Sequence, residues 1–92
     1  MDCYLASYDI PDHKRRLKVA NLLEDYGQRV QLSVFEIWLD TQAQDELLEK
    51  LKAVISAEDD SVRLYRLCAV CQSKVITLGH GQPPQAPGLL II

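Results

Sequence analysis

A chain of 92 residues has room for one domain and excludes two. Hydrophobic residues make up 48% and charged residues 25%, an ordinary globular balance, and no apolar run approaches the roughly 20 residues of a membrane span. The formal net charge of -3 leaves nucleic acid open as a partner but requires any cationic footprint to be local.

Met1-Asp2 leads straight into a strand pattern, without a basic n-region or signal-type core, so a cytoplasmic setting is expected. A domain this small leaves much of its surface exposed, and dimerisation is a natural way to bury more.

Residues 3–8, Cys-Tyr-Leu-Ala-Ser-Tyr, are apolar at nearly every position and read as a central strand covered on both faces. Asp9-Ile10-Pro11-Asp12 stops it. Pro11 disfavours helical geometry at Ile10, and Asp12 is a good N-cap. A helix is expected over about residues 13–26, with Val19, Leu22, Leu23 and Tyr26 as its buried stripe and Gly27 near its C-cap. Residues 29–39 alternate as a strand, single or split by a kink near Gln31-Leu32-Ser33.

A second helix is expected over about residues 41–56. Thr41 and Gln44 match a capping box, Leu47, Leu48, Leu51, Val54 and Ile55 form the stripe, and Glu46 precedes Lys50 by one turn. Residues 58–61 read as a turn, residues 62–67 as a strand with Arg63 on the face of Tyr65 and Leu67, and residues 74–78 as a further short strand.

This order is that of an α+β, ferredoxin-like βαββαβ sandwich with an additional short C-terminal strand, both helices lying on one face of the sheet. The domain is expected over residues 1–79. Residues 80–92 form a Pro/Gly linker ending in Leu89-Leu90-Ile91-Ile92, an apolar strand expected to dock on a partner subunit. The other sheet face needs cover, for which a second copy is the simplest source.

There are three cysteines, an odd number that argues against a disulfide framework. Cys68 and Cys71 form a lone Cys-x-x-Cys. Structural zinc would need two more ligands, which His13 and His80 do not supply at finger spacing. The favoured reading is two small apolar side chains that help close a turn, with redox chemistry as the second.

Asp9 stands directly after the buried strand, held by a rigid element yet able to reach solvent. Asp is also common as a turn starter. One carboxylate holds Mg²⁺ poorly, but a two-fold axis near Asp9 would bring two together. Lys14, Arg15, Arg16 and Lys18 crowd the start of the first helix, where cations oppose the dipole. A phosphate backbone would suit both the cations and the helix terminus; a solvated charged face is the plainer alternative. His13 reads as an exposed loop histidine or a phosphate ligand. Tyr8 and Phe35 are aromatic strand residues, core or stacking platforms.

Ser7-Tyr8-Asp9-Ile10-Pro11-Asp12, the basic stretch from Lys14 to Val19, and Arg29-Val30-Gln31-Leu32-Ser33-Val34-Phe35-Glu36 together resemble the signature of the second CRISPR-associated protein family, the small subunit of the spacer-acquisition complex. The likeness runs from residue 1 to about residue 79. It implies a ferredoxin-like homodimer in which both Asp9 carboxylates face the interface and bind one Mg²⁺ or Mn²⁺.

It further implies nuclease activity on single-stranded RNA or double-stranded DNA, and a bridging role between dimers of the CRISPR integrase. By motif position, Tyr8, Asp9, Arg16, Arg29, Ser33 and Phe35 match functional positions of the family. Lys14, Arg15, Arg16, Lys18 and Arg29 form the expected nucleic-acid-binding set. Lys18 falls where some members carry arginine, which keeps the charge but not a bidentate contact. The alternatives are a non-catalytic DNA-binding scaffold of the same fold, a stand-alone RNA-cleaving toxin, and, last, a metal-carrier domain.

Overall fold

The computed structural model describes residues 1–81. The elements in chain order are β1 (Asp2–Asp9), α1 (His13–Glu24), β2 (Gly27–Gln31), β3 (Val34–Leu39), α2 (Thr41–Val54), β4 (Ser61–Leu67) and a single turn, α3 (Ala69–Gln72). The strands form one four-stranded sheet in the order β2-β3-β1-β4 with every pairing antiparallel. This is the ferredoxin-like arrangement, with β1 central as its apolar sequence demands.

Alternation along the strands divides the sheet into two faces. Tyr4, Ala6 and Tyr8 of β1 and Phe35, Ile37 and Leu39 of β3 point to the helices. There they meet Val19, Ala20 and Leu23 of α1 and Leu47 and Leu51 of α2 in one core. The opposite face carries Leu5 and Ser7 of β1, aligned with Glu36 and Val34 of β3 and with Tyr65 and Arg63 of β4. Leu5, Ser7, Val34, Glu36 and Trp38 are only half-buried there, and burial pushes the Glu36 carboxyl above the ordinary carboxylate range.

The helix boundaries follow from local chemistry. Asp12 caps α1 as expected, its carboxylate accepting the Arg15 backbone N–H at 2.9 Å. The α2 cap differs from expectation. Asp40, one residue earlier, accepts the Ala43 N–H at 2.7 Å, and the Gln44 side chain takes the Tyr4 hydroxyl at 2.8 Å instead of closing a capping box. Asp caps at least as well as Thr, and a partly buried tyrosine hydroxyl needs a partner more than a helix end in water does.

Gly27 begins β2 rather than capping α1. A Cβ there would collide with the Glu36 carbonyl oxygen and stand 2.6 Å from Ile37 Cα, so the strand approaches its neighbour only because the side chain is missing. Since both obstructing atoms are backbone, Gly27→Ala is expected to cost about 1–3 kcal/mol, read as a lower urea midpoint at unchanged slope.

The split of residues 29–39 is real. A bulge between Arg29 and Gln31 and a turn at Leu32-Ser33 separate β2 from β3. The short strand expected at residues 74–78 is not formed within the chain. These residues run irregularly after α3, with Ile76 and Leu78 85% and 89% exposed. Neither edge strand of the sheet, β2 or β4, takes up a pairing from them. The apolar C-terminal strand and most of the expected linker lie outside the described residues. Among the described residues no helix is long and apolar enough to cross a membrane.

Candidate functional site

The end of β1, the start of α1 and the β2–β3 turn enclose a cleft of about 420 Å³ lined in part by Asp9, His13, Arg16, Arg29 and Ser33. Three separate stretches of sequence thus deliver a carboxylate, two guanidiniums and an imidazole to one place. Asp9 is exposed at the last position of its strand, opposite Ser61 of β4.

Arg16 is anchored rather than loose. Its Nη1 donates to the carbonyl oxygens of Ile10 at 3.0 Å and Pro11 at 3.4 Å, and its Nη2 lies 3.3 Å from His13 Nδ1. These contacts hold the guanidinium against the turn that follows Asp9, and its five N–H donors leave capacity for a phosphate. Arg29 lies over the Phe35 ring at 5.3 Å, which fixes a second cation on an apolar platform.

Tyr8 and Phe35 are core residues, 5% and 0% exposed. Their rings are tilted at 32° with centroids 6.3 Å apart, and the Tyr8 hydroxyl donates to the Leu32 carbonyl at 3.2 Å. Ser33 is half-buried, and its carbonyl accepts the Tyr8 N–H at 3.1 Å. Tyr8 and Ser33 therefore help line the cleft, and Phe35 lies beneath Arg29. Tyr8 and Phe35 present no reactive group into solvent as Asp9 does, while Ser33 is half-buried at the cleft wall.

The basic cluster of α1 does not stay together. Arg15 is committed to Asp60: its Nε and Nη2 donate to the two carboxylate oxygens at 2.8 and 3.1 Å. Asp60, whose side chain is fully buried, also accepts the Ser56 N–H at 2.8 Å. The Arg15 hydrogen bond, outweighing desolvation, holds the Asp60 carboxyl below the ordinary range. Asp12, three residues earlier, adds a looser ion pair at 4.0 Å, but the main anion that offsets Arg15 lies 45 residues away in sequence, invisible to spacing within a helix.

Lys18 borders a different groove, between α1 and α2, with Asn21, Asp25 and Lys50. Lys14 is exposed and enters no ion pair among the described residues. Of the expected nucleic-acid set, Arg16 and Arg29 alone share the cleft with Asp9.

Arg63, read from the sequence only for the face it shares with Tyr65 and Leu67, stands near the candidate site. In register with Ser7, it stands on the face opposite the helices, near the Asp9 end of β1, with its Nη1 donating to the Tyr65 hydroxyl at 3.2 Å.

Among the described residues Asp9 is the one carboxylate lining the cleft, and no group of three or more His, Cys, Asp or Glu side chains gathers to hold a metal. A hard divalent cation that keeps most of its waters suits one or two carboxylates, so a second Asp9 from another copy would complete a fitting donor set.

The family model for CRISPR associated protein Cas2 matches residues 1–75. The chain belongs to the Cas2 family. The CRISPR-associated endoribonuclease Cas2 1 of Chloroflexus aurantiacus is 51% identical over 83 residues, 89% of each chain. Streptococcus pyogenes Cas2 superposes with a TM-score of 0.76 at 38% identity, over 84% of this chain and 99% of the other. A chain of the partial Cas6-RT-Cas1–Cas2 complex superposes with a TM-score of 0.72 at 34% identity, over 85% and 91% of the two chains. The Cas2 match thus covers β1, the cleft and all four strands, ending within the irregular segment after α3.

Proposed function

We propose that the chain is the small subunit of a CRISPR spacer-acquisition complex, a homodimer that binds nucleic acid at the Asp9 cleft and hydrolyses phosphodiesters there with Mg²⁺ or Mn²⁺. The observation that carries this reading is the convergence of an exposed carboxylate at the end of the central strand with two anchored arginines in one cleft. The half-buried sheet face, with Leu5, Val34 and Trp38, supports a second copy as its cover. The likeness to a chain of a Cas1–Cas2 assembly supports the integrase as the further partner.

In this reading the two Asp9 carboxylates of the dimer hold the cation, which when bound supplies Lewis-acid activation at the scissile phosphate. Arg16 and Arg29 grip the phosphate oxygens, Arg16 held in place by the Ile10 carbonyl and Arg29 by the Phe35 ring. Tyr8 and Ser33 keep the β2–β3 turn in position behind them. Lys14 and Lys18 extend the cationic surface along α1, and Arg15 drops out because Asp60 occupies it.

A second reading, a DNA-binding scaffold without hydrolysis, is favoured by the single carboxylate that each chain brings to the cleft. The two separate on cleavage of matched duplex DNA and single-stranded RNA by the intact protein, with Mg²⁺ or Mn²⁺ and with chelator. Metal-dependent cleavage of either substrate is the expected result. Binding without cleavage under every metal condition would leave the scaffold.

A further inference from the structure

We propose that Cys68 and Cys71 form a reversible dithiol–disulfide site that exchanges with low-molecular-weight disulfides of the glutathione class. The pair lies where β4 passes into α3, away from the Asp9 cleft, and the proposed nuclease reading makes no use of it. Cys68 is the N-cap of α3 with extended backbone angles of -67° and 166°. That conformation turns its sulfur back over the turn, 3.5 Å from the Cys71 backbone nitrogen. Gln72 N–H to the Cys68 carbonyl at 2.9 Å fixes the turn itself. Both cysteines are exposed, whereas Cys3 is fully buried in β1.

The two sulfurs are also unequal. The Cys71 backbone N–H, and after it the Cys71 thiol, hold Cys68 below the ordinary thiol range, while the hydrogen bond to Cys68 raises Cys71. Burial, followed by the charge of Glu36, pushes Cys3 up to about 11. Cys68 therefore carries the larger thiolate fraction and is the attacking sulfur, with Cys71 as the resolving one.

The Cys68 thiolate attacks one sulfur of oxidised glutathione, forming a mixed disulfide and releasing the first glutathione. Cys71, losing its proton, then attacks the Cys68 sulfur and releases the second. The protein loses two hydrogens and two electrons, and one glutathione disulfide becomes two glutathione thiols. The new bond pins the turn that carries the chain out of β4.

The test incubates the full chain under native conditions with oxidised glutathione, alkylates the remaining thiols and maps them by mass. The wild type is expected to lose two hydrogens in a Cys68–Cys71 crosslink, to keep Cys3 free, and to recover on adding reduced glutathione. Cys71→Ser should accumulate a stable glutathione adduct on Cys68, formed several-fold faster than the Cys71 adduct of Cys68→Ser. Three free thiols in the wild type, a persistent glutathione adduct on it, or a crosslink between chains would overturn the proposal. Equal adduct rates in the two variants would overturn the assignment of Cys68 as the attacking sulfur.

Discussion

Asp9→Asn is expected to lower metal-dependent cleavage by roughly 10²–10³-fold or more while leaving the fold unchanged. The substitution keeps the size and shape of the side chain and removes the charge that a hard cation requires. In the proposed dimer a two-fold axis would double every change, so both carboxylates would be lost at once. Stability should move by no more than about 0.5 kcal/mol, since Asp9 is exposed and its side chain makes no hydrogen bond or ion pair among the described residues.

The informative measurement is therefore a pair: initial cleavage rate against Mg²⁺ concentration, and thermal melting of the same preparations. A rate that falls while Tm and oligomeric mass stay fixed assigns Asp9 to the chemistry. Equal cleavage by wild type and variant removes it. Arg16→Ala provides the contrast. It should weaken nucleic-acid binding at every substrate sequence alike, and flatten its salt dependence by about one unit of slope for each phosphate that Arg16 neutralises.

The largest effect on stability is expected from Asp60→Ala, which should lower Tm by on the order of 10 °C. This carboxylate is the hub of a small network: it accepts both nitrogens of the Arg15 fork and the Ser56 N–H, and so ties α1 to the turn that starts β4. Its removal leaves a part-buried guanidinium with only Asp12, 4.0 Å away, and a backbone N–H without its acceptor. Arg15→Ala strands the opposite charge and should cost a comparable amount. The double variant should then cost less than the sum of the two, which a double-mutant cycle measures directly.

The same network has a pH signature. The folded-state pKa of Asp60 lies below its unfolded value of 3.8, so the folded protein binds fewer protons than the unfolded chain in that range. Its contribution is complete above the ordinary carboxylate range and is lost as pH falls through 3.8 and below toward the folded-state pKa. Acid titration of Tm should show a drop there in the wild type that is smaller in Asp60→Ala. An identical acid limb in both proteins would remove Asp60 from the linkage.

Local and periodic features were legible in the sequence. An apolar run followed by Asp-Ile-Pro-Asp gives a central strand with a sharp stop. Residues spaced at i, i+3, i+4 and i+7 give two helices with one buried face. Strands of this order pack as a ferredoxin-like sheet because both stripes need the same face to cover them. Asp9 was legible for the same reason: its exposure follows from where the strand must end.

What only the tertiary structure decided were pairings between distant segments. Thr41 yielded the α2 cap to Asp40 because Tyr4, on another strand, drew Gln44 away. The four cations of α1 look alike in one dimension. In three, Arg15 belongs to Asp60, Arg16 to the Asp9 turn and Lys18 to the α1–α2 groove. Arg29 joined the cleft because a bulge and the Phe35 ring placed it there. Helical and strand periods fix which way a residue faces along its own element. Which partner it meets depends on chain closure over tens of residues, and no local spacing encodes that.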